Sequence, residues 1–267
     1  MTETVSEPSI GDHRVVSRKE WLIARKALLT SEKEATRHLD KMRAERRALP
    51  WTKVEERYVF EGPHGPIALA ELFDGRSQLV VYHFMLAPGS DHICDGCALL
   101  SDHVDDARRH FEHADLSFAA VSRAPLAEIE AVKRRMGWRF PWLSSFANDF
   151  NYDFCVSFTP EQVASGDVGY NYGTTSYAAE DLHGVSVFYK NQAGDIFHTY
   201  SAYARGTELL AGAFNWLDLA PKGRNESGIM SWVRLHDEYE VPAAAGRERQ
   251  TDGADACCAA RGSDRAA

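Results

Sequence analysis

Cys94 and Cys97, separated by Asp95 and Gly96, are the residues of this chain best suited to covalent chemistry. A thiolate is the nucleophile of disulfide exchange. Two intervening residues keep both sulfurs within one helical turn, close enough to bond. The pair follows an apolar run at 79–86 and a turn-rich segment at 87–92, and it precedes a helical pattern of Leu99, Leu100, Val104, Ala107 and Phe111. Cys94 thus falls at a helix N-terminus, where the backbone carries partial positive charge and favours the thiolate. Asp95 opposes it by like-charge repulsion. Cys94 reads as the attacking thiol and Cys97 as the resolving one.

Other residues compete for or support that chemistry. His92, His103, His110 and His113 lie near the cysteines and offer a zinc alternative. Their spacing is poor for a structural site, and no second Cys-x-x-Cys is present. His83, in the apolar strand before the motif, is a candidate proton acceptor near Cys94 or else a satisfied core histidine. Arg123, just after the next strand, is a candidate to stabilise a thiolate or bind an anion, or else part of a surface ion pair. Ser144 and Ser145 could donate hydrogen bonds into the cleft. Cys155 reads as a small buried hydrophobe rather than a third redox thiol. Cys257 and Cys258 sit in a tail of disordered composition and read as adventitious. The aromatic residues Phe146, Phe150, Tyr152, Phe154, Tyr170, Tyr172 and Tyr177 read as core and loop packing before a ligand cleft.

The elements that must position the pair follow from periodicity. Residues 1–16 read as a disordered lead-in. Ser17-x-x-Glu20 and Ser31-x-x-Glu34 are capping-box patterns, each followed by an apolar stripe, and predict two helices or one kinked helix ending at Leu49-Pro50. This helical extension, 17–50, offers a homo-oligomer contact. A strand is expected at 58–60, a turn at 61–66, and a strand end running into a short helix at 67–73. The run from Leu79 to Phe84 is apolar on both faces and predicts a fully buried strand. A strand at 116–121, a helix from Pro125 to a C-cap at Gly137, and an extended piece at 140–143 follow. Residues 145–181 lack periodicity and read as a long loop or insertion. Segments 185–189 and 196–200 predict a hairpin and 207–216 a helix; 221–224 reads as a C-terminal turn. The domain proper spans 51–240, and 241–267 reads as a disordered tail. Alternating strands and helices ending in an antiparallel pair give an α/β fold with a mixed sheet flanked by helices.

Strand, loop, Cys-x-x-Cys and helix in this order resemble thioredoxin. Longer stretches resemble a narrower group. Tyr82-His83-Phe84-Met85, Val121-Ser122-Arg123-Ala124-Pro125-Leu126, Gly137-Trp138-Arg139-Phe140-Pro141-Trp142, Asp149-Phe150-Asn151-Tyr152-Asp153-Phe154 and the stretch from Leu217 to Glu226 resemble the domain of unknown function 899 family. The resemblance covers about 15–230. It implies a thioredoxin-like fold and a predicted dithiol-disulfide oxidoreductase. A wider similarity is to peroxiredoxins, whose signature places Pro, then Thr or Ser, then Cys. Here Pro88 lies six residues before Cys94 and Asp91 stands where the hydroxyl would be. Thioredoxins also carry a cis-proline just before the hairpin. Aligned by the hairpin, His183-Gly184 stand there, which removes a rigid platform for a protein substrate.

The totals bound the partners. The 267 residues carry 30 Lys+Arg against 39 Asp+Glu, a net charge of −9, which argues against a nucleic-acid partner. No apolar run approaches a membrane span, and the first ten residues are polar, so a soluble, cytoplasmic protein is expected. Five cysteines in a chain this long are no disulfide framework. No G-x-G-x-x-G fingerprint is present, so no organic cofactor is expected. The reading is a thioredoxin-like dithiol-disulfide oxidoreductase using Cys94 and Cys97, with Arg123, His83 and Gly184 as candidate supporting residues. Its partner would be an external thiol or disulfide, protein or small. The alternatives are a non-catalytic binding module on the same scaffold and a zinc protein.

Overall fold

The computed structural model describes residues 10–166, 168–174 and 179–239. Tyr177, Cys257 and Cys258 lie outside the described residues, as do the first nine residues and the segment from 240 onward. The chain divides into two compact units. One holds the chain up to Pro50 together with Leu217–Arg224; the other holds Trp51–Trp216 and the chain from Asn225.

In the first unit, a short 3-10 turn at Ile10–Asp12 precedes one long helix, α1, at Arg18–Arg47. Ser17 caps it with both arms of a capping box: Glu20 N–H donates to Ser17 Oγ at 3.3 Å, and Ser17 N–H donates to Glu20 Oε2 at 3.0 Å. The second capping pattern, Ser31 to Glu34, lies inside the unbroken helix. Helix-interior main-chain bonding satisfies the N–H groups that such a cap would serve. In Leu217–Arg224, Arg224 forks onto Asp218 with two contacts of 2.9 Å and closes the turn expected there.

The second unit is built on an eight-stranded mixed sheet. Its strands are β1 (Thr52–Lys53), β2 (Val59–Gly62), β3 (Gly65–Ala68), β4 (Gln78–His83), β5 (Leu116–Ser122), β6 (Trp142–Ser144), β7 (Gly184–Lys190) and β8 (Ile196–Tyr203). The spatial order is β1-β8-β7-β4-β5-β6-β2-β3. Central β4 runs parallel to β5 and antiparallel to β7, and β7 continues into the β8 hairpin. This is a thioredoxin-like arrangement, as expected from the order of elements. The buried run on β4 splits by alternation. Tyr82 faces one core with Phe118 and Ala120 of β5; Leu79 and Val81 face another with Ala119 and Val121.

Three helices cover the Tyr82 face. These are α2 (Asp95–Ser101), α3 (Asp105–His113) and α4 (Leu126–Met136). Cys97, Ala98, Leu100, Ile129 and Met136 close that core against Phe84, Trp138 and Trp142. Gly137 ends α4 at φ 68, a left-handed cap that favours glycine. The opposite face is covered by aromatics: Tyr58, Phe60, Phe73, Phe150 and Phe154 pack on Phe188 and Val81.

Several local expectations change. The segment after β3 is a series of turns to Gly75, not a short helix. The helical pattern after Cys97 breaks at Asp102–Val104, and Trp138 Nε1–H donates to Asp102 Oδ1 there at 2.8 Å. Residues 145–181 include three short helices, α5 (Phe150–Asp153), α6 (Pro160–Ser165) and α7 (Tyr170–Gly173). The last predicted helix is a 3-10 stretch, Ala204–Leu210, followed by α8 (Gly212–Leu217). Among the described residues no helix is long and apolar enough to cross a membrane.

Candidate functional site

Beyond its last residue, β4 stays bound to the chain leaving β5. Phe84 N–H donates to Val121 O at 3.0 Å and Ala124 N–H to Leu86 O at 2.9 Å. Ser122 Oγ donates to Phe84 O at 2.7 Å and accepts from Trp142 Nε1–H at 2.9 Å. These bonds fix where the strand delivers the next loop. Gly89 turns that loop at φ 69, and its N–H donates to Glu128 Oε2 on α4 at 3.0 Å. The loop then enters α2 with Cys94 as the capping residue.

Cys94 has extended φ and ψ of −61 and 111, and its sulfur accepts the Cys97 N–H at 3.3 Å. A cysteine here does what serine or aspartate does at an N-cap. The helix start leaves backbone N–H groups without internal partners, and a thiolate satisfies them. Cys94 is half-buried and Cys97 is 1% exposed. The Cys97 side chain, with the Cys97 and Gly96 backbone, holds the Cys94 thiol below the ordinary cysteine range; burial and Asp95 push the other way. Cys97 moves well above that range through burial and its bond to Cys94, while the Tyr82 hydroxyl and the Met85 N–H pull it back. Both cysteines are free thiols. One accessible, acidic sulfur backed by one buried, protonated sulfur is the asymmetry that sequential thiol exchange uses.

The supporting candidates separate from that pair. His83 lies on the other face of β4 from Tyr82, fully buried and stacked by Phe150 and Phe154. Its Nδ1 lies 3.4 Å from Asn151 Oδ1 and its Nε2 2.9 Å from Ser186 Oγ. The chain continues through Ser201 Oγ at 2.9 Å to His198 Nε2 at 2.8 Å from it. Burial drives the His83 pKa down to about 3. Arg123 is no surface pair: its guanidinium forks onto Asp181 at 2.7 and 2.5 Å and donates to the Tyr152 hydroxyl at 2.8 Å. Gly184 pairs with His83 in the sheet, and a Cβ there would meet Tyr203 Cδ1 at 2.7 Å and Val156 Cγ1 at 3.0 Å. The described peptide bonds include no cis bond. Ser144 and Ser145 donate to the Ala124 and Ser122 carbonyls.

Cys155 corrects the sequence reading: it is exposed, at a left-handed φ of 52 that ends α5 and turns its side chain out of the core. His92, His110 and His113 are exposed, and His103 accepts the Ala213 N–H at 3.0 Å on Nε2. Among the described residues no three His, Cys, Asp or Glu side chains converge as a metal-holding group.

Two residues at the pair were missed in the sequence. Tyr82 reaches Cys97 from β4; its place in an apolar strand resembled any core aromatic. Met230 lies on the motif itself. A Cβ on Gly96 would meet Met230 Cε at 2.9 Å and its sulfur at 3.3 Å. No periodicity in 225–235 signals that contact.

Parts of the chain are similar to solved thioredoxin-fold structures at low identity. Peroxidoxin BcpB from Mycobacterium tuberculosis matches at 13% identity and a TM-score of 0.37, over 63% of this chain and 97% of its own. The bacterioferritin comigratory protein of Xanthomonas campestris matches at 13% and 0.38, over 60% and 96%. The mitochondrial 2-Cys peroxiredoxin of Plasmodium falciparum matches at 13% and 0.34, over 63% and 94%. No function passes from them to this chain. No curated protein sequence matches it. The family model for DUF899, a bacterial protein family of unknown function, matches residues 10–239, a span that contains the cysteine pair, both sheet cores and α1; the chain belongs to that family.

Proposed function

We propose that the chain is a dithiol-disulfide oxidoreductase in which Cys94 attacks and Cys97 resolves. The observation that carries this reading is the 3.3 Å bond from the Cys97 N–H to the Cys94 sulfur, on a half-exposed cysteine backed by a buried one.

The Cys94 thiolate attacks one sulfur of an external disulfide. A Cys94–S–S–R bond forms, and the other half leaves as a thiolate. Cys97 then loses its proton, attacks the Cys94 sulfur, and displaces the second thiolate. Two protein thiols are oxidised, one external disulfide is reduced to two thiols, and the two protons go to the leaving sulfurs. An external dithiol runs the sequence backwards. Burial keeps Cys97 protonated until the mixed disulfide forms, which limits competing attack from a second site. The Tyr82 hydroxyl stabilises the Cys97 thiolate during resolution.

The test is trapping. With Cys97→Ser, and with Cys155, Cys257 and Cys258 changed to Ser, one half of a small disulfide of known mass should remain attached to Cys94, giving a stable adduct by mass spectrometry. The native chain should pass through the adduct to an internal disulfide. Absence of both the adduct and the internal disulfide would remove this reading.

A further inference from the structure

The segment from Asn225 to Tyr239 contacts both ends of α2, the helix that begins at the cysteine pair, and reaches α4. At the motif, Met230 lies on Gly96. Farther along, Leu235 is 4% exposed within the core that contains Cys97. His236 Nδ1 contacts Asp102 Oδ1, at the end of α2, at 2.7 Å. Arg135 on α4 forks onto Asp237 at 2.7 and 3.0 Å and reaches Glu238 at 2.9 Å. Met230 itself has a left-handed φ of 55, uncommon for a non-glycine residue, and its N–H is taken by Glu226 Oε1 at 2.9 Å. A strained backbone held by a specific bond places that thioether where it is.

The effect on access is direct. Ile93, Cys94, Asp95 and Gly96 are each half-buried, and Ile93 and Cys94 pack against the core that holds Cys97. An extended protein chain approaching Cys94 needs room along this turn for the residues flanking its own disulfide. Here the thioether occupies part of that room.

We propose that Met230 is a specificity-determining residue of this site, and that the exchange partner is a low-molecular-weight thiol or disulfide rather than a protein disulfide. The proposal rests on the exchange reading above. A small disulfide such as that of a tripeptide thiol needs only the sulfur of Cys94 and the space immediately around it. Methionine suits the role because it is bulky, apolar and unbranched, and adds no charge of its own beside the thiolate.

The test compares oxidised glutathione with insulin as oxidants of the fully reduced chain, in the native form, in Met230→Ala and in Met230→Leu. Cys155, Cys257 and Cys258 are changed to Ser throughout. The native chain should react with glutathione disulfide at least tenfold faster than with insulin. Met230→Ala should raise the insulin rate about tenfold and leave the glutathione rate within about threefold. Met230→Leu restores the bulk and should behave as native, which separates occlusion from any effect of a disturbed fold. Equal native rates on both disulfides, or an insulin rate indifferent to Met230→Ala, would overturn the proposal and leave exchange standing. If neither disulfide reacts in a Cys94-dependent way, the exchange reading itself falls and takes this one with it.

Discussion

The Cys97 backbone N–H donates to the Cys94 sulfur at 3.3 Å, so the main chain of the buried cysteine favours a thiolate on the half-buried one. Asp95 stands between them and works against that stabilisation. Asp95→Asn should therefore move the Cys94 titration further down, read from thiolate absorbance, and speed alkylation by iodoacetamide about threefold at neutral pH. The helix cap does not depend on the Asp95 carboxylate, so the thermal midpoint should stay nearly fixed. An upward titration shift in Asp95→Asn would contradict this account.

Tyr82 lies in β4 and lowers the pKa of the buried Cys97 thiol through its hydroxyl. Tyr82→Phe keeps the ring and removes the donor. First attack by Cys94 should be nearly unchanged, while resolution of the mixed disulfide slows about tenfold, the scale of one lost hydrogen bond to a charged group. Stopped-flow kinetics that separate adduct formation from internal disulfide closure decide it. Slowing of both steps alike would point to a disturbed core instead.

His83 sets an acid limit on stability. Burial lowers its pKa to about 3, against an unfolded value of about 6.5. The unfolded chain thus binds more protons between those values. Stability is fully present above about pH 6.5 and falls as pH drops toward 3, by up to about 1.4 kcal/mol per pH unit from this group. Burial pushes His183 and His198 down as well, so they add in the same direction. Denaturant midpoints at pH 7, 5.5 and 4 should fall in order, and His83→Gln should flatten that slope. An unchanged slope in His83→Gln would assign the acid sensitivity elsewhere.

Arg123 offers a control on the site. Its side chain is 14% exposed and that of Asp181 10%, so breaking their fork leaves a nearly buried carboxylate unpaired. Arg123→Met should cost about 3 kcal/mol. The Cys94 titration should not move, because the guanidinium is committed to Asp181, Glu180 and Tyr152. A shifted Cys94 titration in this variant would return Arg123 to the thiol site.

Gly184→Ala tests why glycine stands where a platform proline was expected. The new methyl meets ring and branched carbons at 2.7 and 3.0 Å. Overpacking of this kind costs about 1–3 kcal/mol. The thermal midpoint should drop by several degrees, with exchange kinetics unaltered at temperatures where the variant is folded.

The sequence made the local elements legible and left most of the long-range contacts hidden. The apolar run at 79–84, the C-cap at Gly137 and the hairpin of 185–189 with 196–200 are each set by neighbours a few residues away, and all three form. The bracket Cys94–Cys97 is equally local, so its place at a helix start was readable. The contacts of Asp102, which closes that helix, were not, because Trp138 and His236 reach it from distant segments. His83 looked like a core histidine or a base; only the register that aligns it with Gly184 puts it on the aromatic face with Ser186 and Ser201. Cys155 looked apolar and buried by type, whereas a left-handed turn decides its exposure. Met230 had no signal at all, since it belongs to an irregular segment placed by contacts with residues far away in the chain.

The outer strands of the sheet bear on how partners can bind at all. β1 contributes two residues and β3 four, one of them Pro66, which has no N–H to offer. Sheets commonly recruit peptides by adding a strand along an open margin, and short or proline-bearing margins resist this. β1 pairs only with Phe197 and His198 of the longer β8, so the resistance to strand addition rests on Pro66 at the β3 margin.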